Sequence, residues 1–457
     1  MPATDTALPI AVIGAGFSGT MAALHLLAAL PGGRPVLLCE RAEAFGRGLA
    51  YATKAPAHLL NLRAANMNAF SDRPHHFEAW LAGHAAEGVQ RTPGGTFAPR
   101  GLYGRYLSEL LRQAITAEGR PRLHLVNDAV TDLEPVGGGF ILRTEGGQAH
   151  RIDGAVLAAG NLAGPGEPPS RFRADPWRLD QAGRLHAHLP VLIVGTGLTM
   201  VDAVATLRER GYSGRIIAVS RRGLMPATHA PTEVRPAPNL TTRDLRSLPT
   251  LLRRIRQDVA DAEATGADWR GVLDGLRPIT DFIWRSLPPA ERARFLRHLR
   301  TFWDVHRHRM APPSARAIAD EIDRGSLTIL AGRIRTIADA EAHAVVTVRP
   351  RGTERTVRLD VQCILDATGI GRVSETADPL LRRLIARGLV RPGPFGLGLD
   401  ATPDYRALGT RGVGRLWTLG PLLRGVLWEC IAVPDIRNQA AEVAALIATD
   451  LERTEAA

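Results

Sequence analysis

The feature that most constrains this chain is a glycine turn set between two apolar runs near its start. Residues 10–13 are apolar, and Gly14-Ala15-Gly16-Phe17-Ser18-Gly19 follows as a complete G-x-G-x-x-G. Residues 20–30 have helical composition, and Pro31-Gly32-Gly33 ends that helix. Residues 36–39 form a second apolar run that leads straight into Glu40, 21 positions after Gly19. This is the strand, turn, helix, strand and acid order of a dinucleotide-binding βαβ unit. Gly14 permits the tight turn, Gly16 lets a pyrophosphate approach the backbone, and Gly19 lets helix and strand pack closely. The helix start, with Phe17 and Ser18 in its first turn, offers free N–H groups to the phosphates. Glu40, with Arg41 beside it, accepts hydrogen bonds from a ribose diol. No Asp, Glu, Lys or Arg occurs between residues 8 and 30, as in a membrane span. The three glycines and the lack of a basic stretch before the run argue instead for a buried parallel strand and its helix.

A second unit lies mid-chain. Residues 191–194 are apolar, Gly195-Thr196-Gly197-Leu198-Thr199-Met200 follows, then a helical stretch, then an apolar run at 216–219. Met200 replaces the third glycine, which predicts a wider helix–strand contact and a less secure site. No acid stands where Glu40 stood. Ser220, Arg221 and Arg222 stand there instead, a hydroxyl and two guanidinium groups suited to a 2′-phosphate. That favours NADPH over NADH.

Each unit is followed by a β-rich stretch and a closing strand. The first closes in Ala158-Ala159-Gly160 and the second in Asp366-Ala367-Thr368-Gly369, before Ile370. The chain therefore reads as a coarse duplication with two nucleotide sites. A glycine just past such a strand, Gly160 or Gly369, lets the backbone pass close to a nucleotide. At about 241–315 the pattern changes to helical spacing, with Leu251, Leu252, Ile255 and Val259, and later Phe295, Leu296, Leu299 and Phe302. Trp269, Trp284 and Trp303 lie in this insertion. They fill its own core, or they belong to a cover over the active site.

The fold class expected is α/β, with two Rossmann-like dinucleotide-binding domains and a helical insertion in the second. Residues 1–185 and 377–457 are assigned to the FAD-binding domain and residues 186–376 to the NAD(P)H-binding domain. The three cysteines, Cys39, Cys363 and Cys430, include no C-x-x-C pair, which argues against a disulfide reductase and for a reducing, cytoplasmic setting. The net charge of +11 comes almost wholly from arginine, since Lys54 is the only lysine. With no basic stripe interleaved with aromatics, it predicts no nucleic-acid partner. No histidine pair has metal-ligand spacing, so no metal is expected.

Several stretches resemble the bacterial FAD/NAD(P)-binding proteins, two-dinucleotide-binding flavoproteins distantly similar to class B flavoprotein monooxygenases. They include Gly14–Thr20, Gly46-Arg47-Gly48-Leu49-Ala50-Tyr51, His58-Leu59-Leu60-Asn61, Tyr103-Gly104-Arg105-Tyr106-Leu107, Gly195–Asp202, Arg307-His308-Arg309 and Gly420-Pro421-Leu422-Leu423-Arg424-Gly425. The Phe-x-Gly-x-x-x-His-x-x-x-Trp pattern of class B enzymes is missing before Gly195. The resemblance implies FAD at the first site and NADPH at the second. It implies that Arg47, Asn61, Val130, Ala159, Gly160, Gly420 and Pro421 border the flavin, although Asn61 suits a turn cap equally well. A helix from about residue 435 to 449, entered at Pro434, would then aim its N-terminus at the flavin. The implied activity is an NADPH-reduced flavin oxidoreductase, monooxygenase-like, that hydroxylates a small molecule. A flavin reductase or dehydrogenase without oxygenation, and a flavin-bound sensor without turnover, are the alternatives. No catalytic side chain is identified, no membrane association is expected, and a homo-oligomer is allowed.

Overall fold

The computed structural model describes residues 7–84, 86–116, 122–162, 170–179, 185–369 and 371–455. Ile370 and residues 180–184, just before the expected domain boundary, lie outside that set. Two largely parallel sheets organise the chain. The first runs, edge to edge, through Arg406–Gly409, Gly412–Thr418, Gly154–Leu157, Ile10–Ile13, Val36–Cys39 and Leu123–Val126. All its pairs are parallel except the hairpin of Arg406–Gly409 with Gly412–Thr418.

Ile10–Ile13 and Val36–Cys39 are buried along their whole length. A parallel strand covered on both faces needs an unbroken apolar run, and alternate residues then serve opposite layers. Ile10, Val12, Val36 and Leu38 pack in the core shared with the helices Phe17–Ala29 and Val433–Glu455. Ala11, Ile13, Leu37 and Cys39 pack on the other side, with the helix Pro379–Ala386 and a three-stranded antiparallel sheet of Val130–Val136, Gly139–Thr144 and Ala149–Ile152. This burial explains the uncharged stretch at 8–30. Among the described residues no helix is long and apolar enough to cross a membrane.

The second sheet orders Arg173–Ala174, Cys363–Asp366, Val191–Val194, Ile216–Ser220, Leu327–Asp339, Ala344–Pro350 and Val357–Val361. Val191 and Ile193 face one cluster and Leu192 the other, repeating the two-sided burial of the first sheet. Leu327–Asp339 first pairs parallel with Ile216–Ser220, then antiparallel with Ala344–Pro350. The duplication is thus carried in three dimensions. Ile13 is in register with Leu157, and Val194 with Asp366.

Six α-helices and the short 3-10 helix Arg277–Ile279 fill the stretch between Thr242 and Arg307, from Thr242–Arg246 to Arg300–Arg307. Leu251 and Ile255 lie on Leu248–Ala264, as the spacing predicts. The later apolar positions do not share one helix. Pro289–His298 ends and Arg300–Arg307 begins at Leu299, which caps both. Trp284 and Trp303 pack beyond their own helices, against Trp428 and Leu397 of the C-terminal part.

Candidate nucleotide sites

Both glycine turns sit where a parallel strand gives way to a helix. Gly14 has φ +99°, and a Cβ on it would stand 2.5 Å from the Ala158 carbonyl oxygen. Gly195 has φ +120°, and its Cβ would stand 2.3 Å from the Ala367 carbonyl oxygen. Glycine is required at both positions by conformation and by the closing strand beside it. Gly19 is required by packing, since a Cβ there would lie 1.7 Å from the Gly14 oxygen.

The middle glycines differ. Gly16 and Gly197 cap their helices with extended backbone, φ −71° and −86°, and neither has a side-chain cap. A Cβ on Gly16 would make only an ordinary 3.5 Å contact with the Gly48 Cα, and one on Gly197 would meet nothing within 4 Å. Nothing in the protein itself asks for glycine at these two positions. Gly197 leaves open space over uncapped helix N–H groups, and Gly16 puts no side chain in front of its own, which is what an anionic phosphate needs.

Around the first turn, Glu40 Oε2 accepts from the Ala15 N–H at 2.8 Å and Oε1 from the Ala42 N–H at 3.0 Å. The carboxylate is thereby fixed at the end of its strand with lone pairs to spare. Asn127 Nδ2 donates to the carbonyls of Glu40 and Ala42 at 3.0 and 2.7 Å, steadying the same loop. Arg41 is exposed, and the Phe17 side chain is buried against Tyr103, so Phe17 offers only its backbone. Arg47 caps the short helix Gly48–Tyr51, whose first residue faces Gly16. Ser18 is buried beside Gly420, whose N–H donates to Gln439 Oε1 at 2.9 Å. Ala159 and Gly160 follow the closing strand, and a Cβ on Gly160 would meet nothing within 4 Å. Gly160 and Pro421 line one cleft, together with Leu397, Gly398 and Arg424.

Two further expected residues make contacts within the protein. Val130 begins an antiparallel strand and packs against the second core cluster. Asn61 sits where the two halves meet, its carbonyl accepting from His229 Nε2 at 2.8 Å. Burial pushes His229 down to about 4, so its ring is neutral. The expected helix at 435–449 spans Val433–Glu455, and its first turn carries Asp435 bound to Arg277 by two 2.9 Å contacts. An acidic side chain therefore already occupies that helix start; burial raises its carboxyl, and Arg277 pulls it down.

At the second turn, Met200 is buried in the apolar cluster below the sheet and leaves the mouth open. Thr199 lies in the helix's first turn, half-buried. Ser220 Oγ lies 2.9 Å from Thr196 Oγ1 and accepts from the Gly223 N–H at 3.0 Å, bracing the turn. Arg221 extends into solvent. Arg222 is engaged elsewhere, stacked 4.8 Å from the Phe302 ring with Nη2 donating to the His298 carbonyl at 3.3 Å. Gly369 is exposed past its strand, and a Cβ on it would meet nothing within 4 Å.

Sequence spacing gave no sign of the junction between the halves. His58 is buried, with Nε2 2.6 Å from Thr206 Oγ1 and 2.9 Å from the Asp202 carbonyl. Arg100 Nη2 stands 3.0 Å from Asp202 Oδ2. Burial raises the Asp202 carboxyl, while Arg100 and His58 pull it down. A polar residue repeated within apolar stretches, as at His58 and Asp202, was the one available hint. All three cysteines are free and buried, and burial pushes Cys39 and Cys363 up to about 12. No thiolate is available near neutral pH for dithiol exchange.

Residues 11–162 match the family described as FAD-NAD(P)-binding. No curated protein matches the chain. Among solved structures, the reduced form of ornithine hydroxylase (PvdA) from Pseudomonas aeruginosa is 14% identical, with 97% of this chain and 100% of that one covered and a TM-score of 0.64. L-lysine 6-monooxygenase from Pseudomonas syringae is 20% identical, with 98% and 99% covered and a TM-score of 0.63. Thioredoxin reductase from T. acidophilum is 10% identical, with 98% and 100% covered and a TM-score of 0.52. The chain has the fold of the two-nucleotide flavoproteins, as its paired glycine turns require. That fold serves hydroxylases and reductases alike, so the chemistry must be argued from the sites.

Proposed function

We propose that this protein is an FAD-dependent oxidoreductase reduced by NADPH, and that it hydroxylates a small molecule. The observation that carries the two-nucleotide reading is the pair Gly16 and Gly197, glycines that no contact or backbone angle requires. In this reading residues 1–185 and 377–457 hold FAD, and residues 186–376 hold NADPH.

Gly16 and the uncapped N–H groups after it take the FAD pyrophosphate. Glu40, already aligned by the Ala15 and Ala42 N–H groups, accepts from the ribose. Gly160, Gly420 and Pro421 give close backbone approach to the ring system. Gly197 and Thr199 take the NADPH pyrophosphate, and Arg221, free in solvent, takes the 2′-phosphate. FAD supplies the redox chemistry when bound, accepting a hydride from NADPH. The protein orients the two nucleotides across its junction and keeps water from the reacting atoms. The buried cysteines favour oxygen or a non-thiol compound as the electron acceptor.

Anaerobic stopped-flow with NADPH, and separately NADH, tests the first half of this reading. Rapid bleaching of the visible flavin band, faster with NADPH, is expected. A band unmoved by either nucleotide would defeat the proposal. Oxygen added afterwards tests the second half: hydroxylated product supports it, and peroxide alone at every substrate tried contradicts it.

A further inference from the structure

The strand Leu327–Asp339 outruns its neighbour in the second sheet. Its first five residues pair in parallel with Ile216–Ser220, and Ser220 is in register with Ala331. It then continues past Ser220 and pairs antiparallel with Ala344–Pro350, beginning where Gly332 faces Pro350. The overhanging part therefore stands beside the carboxyl ends of the parallel strands, the edge at which open α/β sheets take their ligands. The Arg351 N–H donates to the Ala331 carbonyl at 2.8 Å, so Arg351 lies level with Ser220, two strands away.

Alternation along this strand fixes the side its arginines take. Ile329 packs with the helix Leu198–Glu209, while Leu330 and Ile334 pack on the opposite face of the sheet. Ala331 and Arg333 follow Ile329 onto the helix side. Residues directly opposite in an antiparallel pair share a face. Arg349, opposite Arg333, and Arg351, opposite Ala331, therefore lie on that side too. So does the loop after Ser220, since a Cβ on Gly223 would stand 3.0 Å from the Ala331 Cβ. Arg221, Arg333 and Arg351 thus border one corner of the nucleotide edge.

The charges at this corner do not balance. Arg333 and Arg349 are like charges directly opposite each other, an arrangement that destabilises an antiparallel pair. Arg349 has Glu354 at 3.1 Å. Arg221, Arg333 and Arg351 are exposed, and among the described residues none of the three forms an ion pair or a side-chain hydrogen bond. An anion held between the strands offsets this repulsion. The proposed 2′-phosphate site has room for such help, because Arg222 is stacked on Phe302 and leaves Arg221 as the only guanidinium of its loop free to bind.

We infer that Arg333 and Arg351 complete the 2′-phosphate subsite from the neighbouring strands, and that with Arg221 they set the choice of NADPH over NADH. A phosphate monoester is close to doubly charged near neutral pH, and guanidinium groups from three separate segments give it donors on more than one side. The ribose hydroxyl that NADH carries at the same place gains little from them. The inference rests on the NADPH reading above and adds to it the residues that enforce the selectivity.

Calorimetric titration of the full chain with adenosine 2′,5′-bisphosphate, and separately with 5′-AMP, tests the inference without redox chemistry. The unaltered protein is expected to favour the bisphosphate. Arg333→Gln and Arg351→Gln are each expected to weaken it about threefold, and the double variant about tenfold, the range of exposed charge pairs. Binding of 5′-AMP is expected to stay within about twofold. Arg215→Gln removes the same charge at the opposite end of Ile216–Ser220 and is expected to change neither. Arg333→Gln also relieves the repulsion with Arg349, so it is expected to melt no lower than the unaltered protein. Unchanged bisphosphate affinity in the double variant, equal losses of both ligands, or an equal loss in Arg215→Gln would overturn the inference. So would a lower melting temperature in Arg333→Gln, which would make that arginine a structural residue. If NADPH does not bleach the flavin but the bisphosphate preference falls with the two arginines, the redox reading is defeated and this inference is kept. If NADPH bleaches it and keeps its full advantage over NADH in the double variant, this inference alone is defeated. A protein that prefers neither the bisphosphate nor NADPH defeats both.

Discussion

Arg100 Nη2 lies 3.0 Å from Asp202 Oδ2, and this pair, Asp202 buried and Arg100 largely so, joins the first nucleotide unit to the helix of the second. Removing one partner strands the other. Asp202→Ala is expected to destabilise the protein by about 1–3 kcal/mol, because the largely buried Arg100 loses its anion and keeps only the Leu59 carbonyl. Replacing both by methionine is expected to recover most of that loss. Urea unfolding of the single and double variants measures it, and equal losses in both would contradict the argument.

The two kinds of glycine predict two kinds of variant. Gly19→Ala drives a methyl group into the Gly14 carbonyl, so loss of both stability and flavin is expected. Gly197→Ala meets open space, so its melting temperature is expected within about a degree of the unaltered protein's, in keeping with a change of under 0.5 kcal/mol. Its NADPH affinity is expected to fall about tenfold or more, one phosphate contact's worth. Thermal melts paired with NADPH titration separate the two. Full NADPH affinity in Gly197→Ala would remove the phosphate role from that turn.

Arg221 and Arg222 stand side by side in sequence but not in circumstance. Arg221→Ala is expected to cut the preference for NADPH over NADH about tenfold or more, since a charged hydrogen bond to phosphate is lost. Arg222→Ala is expected to leave the preference nearly unchanged and to loosen the Phe302 helix instead. Flavin reduction rates with each nucleotide decide between them. A larger selectivity change in Arg222→Ala would reverse the assignment.

Glu321 offers a pH test. Burial raises its carboxyl, but hydrogen bonds from Arg208, Ser326 and Arg324 outweigh this and hold it down at about 2. The unfolded carboxyl titrates near 4.3. The stabilisation is therefore fully present above about pH 4.3 and is lost as pH falls toward 2. Glu321→Gln is expected to melt lower than the unaltered protein at pH 7, with the gap closing as acid is added. A gap independent of pH between 6 and 3 would show that the charge is not responsible.

Much of this architecture was open to reading because its physics is local. Strands covered on both faces need unbroken apolar runs, and residues 10–13, 36–39 and 191–194 supply them. Gly14 and Gly195 mark the turns because no other residue adopts their backbone there without strain. What escaped was settled by distant partners. The spacing of Phe295, Leu299 and Phe302 suits one helix, yet the chain breaks at Leu299 so that two short helices can wrap the C-terminal segment. Arg222 reads like its neighbour until Phe302 appears beneath it. Gln439 looks like an ordinary polar residue of an amphipathic helix, and only the fold aims it at the Gly420 N–H.

The strand Gly412–Thr418 pairs with Gly154–Leu157 across more than 250 residues. During synthesis, Gly154–Leu157 therefore leaves the ribosome long before the neighbour that completes its sheet. Through that interval it presents an unpaired apolar edge, the kind of surface that invites pairing with another chain. The whole second unit is made in the meantime, and the late-arriving segment must then find both the waiting edge and the helices around Trp284. Closing so long a loop is slow and entropically demanding. The first sheet is thus begun by Ile10–Ile13 and completed only by Gly412–Thr418. Recovery of native protein should accordingly depend on how well that unfinished edge is shielded from its own kind.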